Sequence, residues 1–222
     1  MYCEQFYFLM KTFFFLWLSI FYTNTAFSDV YKCINNGLIT YTKNENHQRN
    51  CMLLFQSPPH INQIDSIKEL QPKSQNTFIK ILSKHSDKYL LETNELQKNI
   101  LRDDRKNSVY NLLEKFEVES WVGLISQLNV NSDGDAILAV AIATNVILKT
   151  SPNTNHQSII KKGSKLYKAL LHAEVHQKIK FSGEFYPSDK DYIEELSPEE
   201  NIAMTKPHFI FRFTELSVLD QN

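Results

Sequence analysis

The sequence predicts an α+β chain ending in a small closed β-barrel, and three observations carry that prediction. Apolar residues recur at helical spacing between Ile61 and Phe116, then switch to alternation from Trp121 onward. Near the N-terminus, two β-rich runs flank Asn35-Asn36-Gly37, and Asn-Gly between β-formers is a strong hairpin signal. The first 28 residues differ in composition from the rest, holding 7 of the 15 phenylalanines, and are read apart.

Residues 1–28 have the layout of a secretory signal peptide. Lys11 precedes an apolar run from Phe13 to Tyr22, and Ala26 and Ser28 place small residues at −3 and −1 of a cleavage site before Asp29. The run is about half of the roughly 20 residues a spanning helix needs, so no integral membrane segment is expected after cleavage. Glu4 is out of place in a region that should be positive, whereas Met10-Lys11 would open an ordinary signal, so translation is expected to start at Met10 rather than Met1. A periplasmic or secreted location follows. Without residues 1–28 the chain keeps 222 − 28 = 194 residues and its formal charge of −1, because Glu4 and Lys11 leave together. That balance argues against strong attraction to nucleic acid or an anionic membrane.

Cys3 goes with the signal, which leaves Cys33 and Cys51 as an even pair in an oxidising compartment, where disulfides persist. Closing such a loop stabilises by about 3 kcal/mol in the chain-entropy view. A metal site there lacks the CxxC spacing and further ligands that zinc requires. Residues 29–56 thus form a disulfide-linked β-hairpin module: Val30, Tyr31 and Cys33 precede the turn, and Ile39, Thr40 and Tyr41 follow it. The string Y-K-C, a glycine turn, T-Y and a second cysteine resembles the secreted bacterial family called domain of unknown function 4124, over Asp29 to about Cys51. Here a longer polar insert, Asn44 to Asn50, stands where family members place Asp, Pro and Cys. The resemblance implies a fold and a compartment but no activity.

Ser57-Pro58-Pro59 breaks the chain, and residues 57–116 read as a linker and helical segment. Ile61, Ile64, Ile67 and Leu70 recur at turn spacing, Pro72 interrupts, and Phe78, Ile81 and Leu82 resume. Ser86 or Asp87 is placed to cap a further helix carrying Leu91, Leu96 and Ile100, and Asn107 or Ser108 a last one with Leu112, Leu113 and Phe116. The apolar stripe is one-sided, so these helices must pack against something.

Residues 117–222 read as the barrel, expected to fold separately. Trp121 to Leu128 alternates, Asn131-Ser132-Asp133-Gly134-Asp135 turns the chain, and Ile137 to Leu148 forms a second long arm. A short helix from Ser164 to Leu171, a strand from Val175 to Phe185 and a last strand from Phe209 to Leu216 follow. Strand, strand, helix, strand, strand fits an OB-like β-barrel. The pieces WVGLI, NSDGD, IIKKGSKLYKALL, KIKFSGEF and PHFIFRF are also similar to an OB-like C-terminal domain of uncharacterised exported bacterial proteins, a resemblance without assigned catalytic residues.

Several groups invite chemistry. Asn129, Asn131, Asp133, Gly134 and Asp135 mimic part of a calcium loop, but Val140 stands where a bidentate Glu belongs, and turn chemistry explains the residues. His172, Glu174 and His176 form H-x-E-x-H, which would align three metal ligands only on a continuous strand; the string crosses a helix-to-strand junction and reads as a solvated turn. Asp189, Asp191, Glu194, Glu195, Glu199 and Glu200 read as a solvated acidic loop. Lys161, Lys162, Lys165, Lys168, Lys178 and Lys180, with Tyr167 and Phe181 among them, read as the exposed side of one helix and one strand. Nucleophile and phosphate-loop motifs are missing from the sequence, which has 5 glycines in all. No catalytic residue, metal or cofactor is assigned. The expectation is a non-catalytic envelope module that binds a protein or glycan rather than nucleic acid, the alternative being a metal-dependent hydrolase using His172, Glu174 and His176.

Overall fold

A computed structural model of the chain describes residues 30–35, 38–42, 51–55, 61–113, 115–151, 158–197 and 199–219. The chain divides into two compact units, residues 1–55 and 56–222. In the first, β1 (Val30–Asn35) pairs antiparallel with β2 (Leu38–Thr42) and with β3 (Cys51–Phe55), in the order β2-β1-β3. The register sets Cys33 opposite Cys51. The predicted signal, the Asn36-Gly37 turn and the insert from Asn44 to Asn50 lie outside the described residues, as do the side chains of the two cysteines.

The second unit contains α1 (Ile61–Asp65), a 3-10 turn (Lys68–Leu70), α2 (Lys73–Leu91) and α3 (Glu95–Leu112) ahead of the strands. The residues proposed as caps within the helical region do not break it: Ser86 and Asp87 lie inside α2, and Asn107 and Ser108 inside α3, where the Ser108 hydroxyl donates to the Asp104 carbonyl one turn back. The break falls instead at residues 92–94, where the Asn94 side chain accepts from the Leu96 and Gln97 amides.

Five strands close into a mixed barrel in the order β10-β6-β5-β4-β7. They are β4 (Glu117–Val130), β5 (Ala136–Ala143), β6 (Val146–Lys149), β7 (Lys178–Phe185) and β10 (His208–Val218). The arm expected from Ile137 to Leu148 is two strands, folded back at Thr144-Asn145, a tight turn without Gly or Pro to announce it. Every neighbouring pair is antiparallel except β10 and β6. One short helix, α4 (Lys165–Ala169), follows β6 with Ser164 as its cap. Between β7 and β10 come a two-stranded ribbon, β8 (Pro187–Ser188) with β9 (Tyr192–Ile193), and α5 (Glu200–Thr205).

Aromatic packing fills the barrel. Phe181, Phe185, Phe209, Phe211 and Phe213 pack inward from β7 and β10, at centroid separations such as 5.1 Å for Phe185 and Phe211. The helices join this core rather than forming their own: Phe78 of α2 lies 5.3 Å from Trp121, 5.5 Å from Phe185 and 5.7 Å from Phe209, and Leu82, Val109 and Leu113 belong to the same cluster. Among the described residues no helix is long and apolar enough to cross a membrane.

Candidate functional site

The barrel has a covered wall and an open one. From Trp121 to Ser126, β4 is buried at every position, so alternation there does not mean one solvated face. Outside the barrel, Ile64 and Ile67 cover Val122, Leu124 and Ala141. The seal is polar as well. Beyond Leu124 and Ala141, the last pair of the β4–β5 ladder, the Gln75 amide donates to the Val122 carbonyl at 2.6 Å and accepts from the Val122 N–H at 2.8 Å, while Gln71 donates to the Ile142 carbonyl at 2.8 Å. A fully buried side-chain amide thereby replaces a ladder partner and leaves no main-chain group of Val122 orphaned.

The open wall runs across β4, β7 and β10. Gly183 sets its shape, because a Cβ built there would stand 2.2 Å from the Arg212 carbonyl and 2.6 Å from the Phe211 ring. Both flanking strands bulge at this level, β4 between Val118 and Trp121 and β10 between Phe213 and Glu215. Within the first bulge Ser120 adopts φ 56°, uncommon for a residue with a side chain. The Ser182 hydroxyl ties the two bulges together, accepting from the Ser120 amide at 3.2 Å and donating to Glu215 at 3.4 Å.

Two contiguous hollows result, of about 410 and 570 Å³, sharing Ser120, Ser182, Thr214 and Glu215. Lys165 and Lys180 line the first, with Leu166 and Ala169; Glu117, Glu119 and Glu184 line the second. The groove is therefore hydroxyl-floored, cationic at one end and acidic at the other. Arg212 of β10 pairs with Glu184 directly opposite on β7. Such a surface offers hydrogen bonds and charge to a polar ligand.

The residues singled out in the sequence fall as follows. His172 and Glu174 are exposed, and His176, at φ 69°, uses its amide to donate to the Ile125 carbonyl at 2.7 Å, so the H-x-E-x-H string is a turn leading into β7. Among the described residues no three His, Cys, Asp or Glu side chains converge to hold a metal. Asn131 to Asp135 is a hairpin turn, with the Asn131 carboxamide accepting from the Asp133 and Asp135 amides. The Lys162 amide and the Lys161 ammonium bond the Asp135 carboxylate and hold it below the usual carboxylate range. Lys161, Lys162, Lys165, Lys168 and Lys180 are exposed, as an ordinary surface requires, and Lys178 is half-buried; Phe181 faces the core and Tyr167 packs against it, so neither ring is presented with the lysines.

The acidic stretch is not uniformly solvated. Asp191 and the Glu195 carboxylate are buried, because Arg102 and Arg105 of α3 meet them there. No protein family, curated protein or solved structure matches the chain.

Proposed function

We propose that the chain is a non-catalytic binding module of the bacterial cell envelope, exported and stapled by Cys33–Cys51, whose barrel takes a polar ligand on the β4–β7–β10 wall. One observation carries the choice of wall: Ile64, Ile67, Gln71 and Gln75 occupy the outside of β4 and β5, whereas the double bulge around Ser182 opens a hydroxyl-floored groove with oppositely charged ends. An OB-like reading is supported by the strand order, by the parallel pair between the third and fifth barrel strands, and by a helix between the third and fourth. OB-like barrels bind oligosaccharides on the face of their second and third strands; here Ile64, Ile67 and Gln71 cover part of the second, β5, and the ligand is assigned instead to the wall of the first, fourth and fifth. A disulfide is favoured by the register that opposes the two cysteines.

The ligand suited to this groove is a saccharide chain with charged peptide appendages, which would place hydroxyls on Ser182 and Thr214 and opposite charges at the two ends. The test is calorimetric titration of the full mature chain with soluble peptidoglycan fragments. Binding that weakens at least about 10-fold in Ser182→Trp supports the assignment, a loss corresponding to about 1.4 kcal/mol. Unchanged affinity in that variant, with its fold intact by circular dichroism, moves the ligand to another surface.

A further inference from the structure

Two guanidinium groups and three carboxylates meet between α3 and the connection from β9 to α5. Arg102 clasps Asp191 with two bonds of 2.7 Å and reaches Glu200 at 2.9 Å. Arg105 donates to the Ala203 carbonyl at 2.7 Å and to Glu195 Oε1 at 2.7 Å, and lies 3.8 Å from Asp191. Among the described residues the ion pairs of the cluster thus join three carboxylates to two guanidinium groups, with the Lys190 charge also acting on Asp191. Water can accommodate the excess at Glu200, whose side chain is 44% exposed, but not at Glu195, whose side chain is 6% exposed and whose Oε2 finds no hydrogen-bond partner among the described residues. A buried carboxylate oxygen without a donor favours the protonated form.

We infer that Glu195 is a proton-operated latch: uncharged, it lets α3 seat against residues 191–203, and its ionisation loosens that seat. Burial is the dominant influence on its acidity and raises it to about 7, with Arg105 and Arg102 opposing and Asp191 reinforcing. The other titratable groups near the cluster whose acidity shifts move away from this range. Burial pushes Asp191 up, but its bonds to Arg102 and the nearby Arg105 prevail and keep it below the ordinary carboxylate range. Tyr89 of α2 is raised by burial and by Glu200, and His208 of β10 is lowered by burial and by Lys149.

The folded-state value of about 7 lies above the ordinary 4.5, so the stability Glu195 contributes is complete below the ordinary value and is lost as pH rises through about 7. Between pH 6 and pH 8 the thermal midpoint of the full mature chain is expected to fall by about 4 °C. Glu195→Gln, which carries no charge at either pH, is expected to abolish that fall and to melt above the wild type at pH 8. Equal slopes for wild type and variant over this range overturn the latch. A carbon-13 carboxyl titration of Glu195 in the wild-type chain decides the matter independently of how the variant folds: a midpoint near 7 supports the latch, and one in the ordinary glutamate range overturns it.

Discussion

α2 and α3 are joined by three residues and pack on the same barrel, yet different forces hold them. α2 buries Gln75, Phe78, Leu82, His85 and Tyr89 at a spacing of three or four residues, and its attachment to the barrel core through Phe78 and Leu82 is dispersion and apolar burial. α3 buries Arg102, Arg105 and Val109 at the same spacing, and its attachment is charge. The rhythm is shared and the chemistry is not. An apolar face is indifferent to pH, whereas a buried ionic face is held only while its charges balance, because an unpaired buried ion costs far more than a well-paired one contributes.

The largest expected effect is on the apolar side. Phe78→Ala empties a space enclosed by Trp121, Phe185 and Phe209 and is expected to cost about 4 kcal/mol, seen in chemical denaturation as a lower midpoint with an unchanged slope. On the ionic side, Arg105→Met at pH 8, where Glu195 is ionised, strands its carboxylate and weakens the balance around Asp191, for an expected cost of about 3 kcal/mol. The sharper form of that prediction is the double replacement Arg105→Met with Glu195→Leu, which removes both charges and should recover most of the loss. If the double variant is no more stable than the single one, the ionic face contributes through packing rather than charge, and the contrast between the two helices fails.

The same contrast explains what the sequence made legible. Trp121 to Leu128, the Asn131–Asp135 turn, the short helix from Ser164 and the last strand from Phe209 announced the barrel, because each is a local pattern. The fold-back at Thr144-Asn145 stayed hidden because apolar residues run through β5 on both faces and no glycine marks the corner. Arg102 and Arg105 stayed hidden for another reason: helical apolar patterning counts arginine as solvent-facing. The signal was nevertheless present, since Arg102, Arg105 and Val109 follow the burial spacing of α2, and the partners were the densest acidic run in the chain.

The groove shows a third case. Ser120, Ser182 and Thr214 are unremarkable in sequence, and bulges on two strands bring them together across β7. No local pattern encodes a meeting of residues 62 positions apart, such as Ser120 and Ser182. The covered wall is similar: the main-chain groups of Val122 and Ile142 that Gln75 and Gln71 satisfy lie beyond the end of the β4–β5 ladder, 47 and 71 positions away in sequence.

Central to this account is that the helical segment belongs to the barrel's own core, so that residues 61–219 open as one unit. Native-state hydrogen exchange on the full mature chain tests it most directly. The α2 amides from Phe78 to Leu82 are expected to exchange with the same opening free energy as those of β7 and β10. Exchange of α2 several kcal/mol earlier, with the strands still protected, would show a helix laid on a self-sufficient barrel and contradict it.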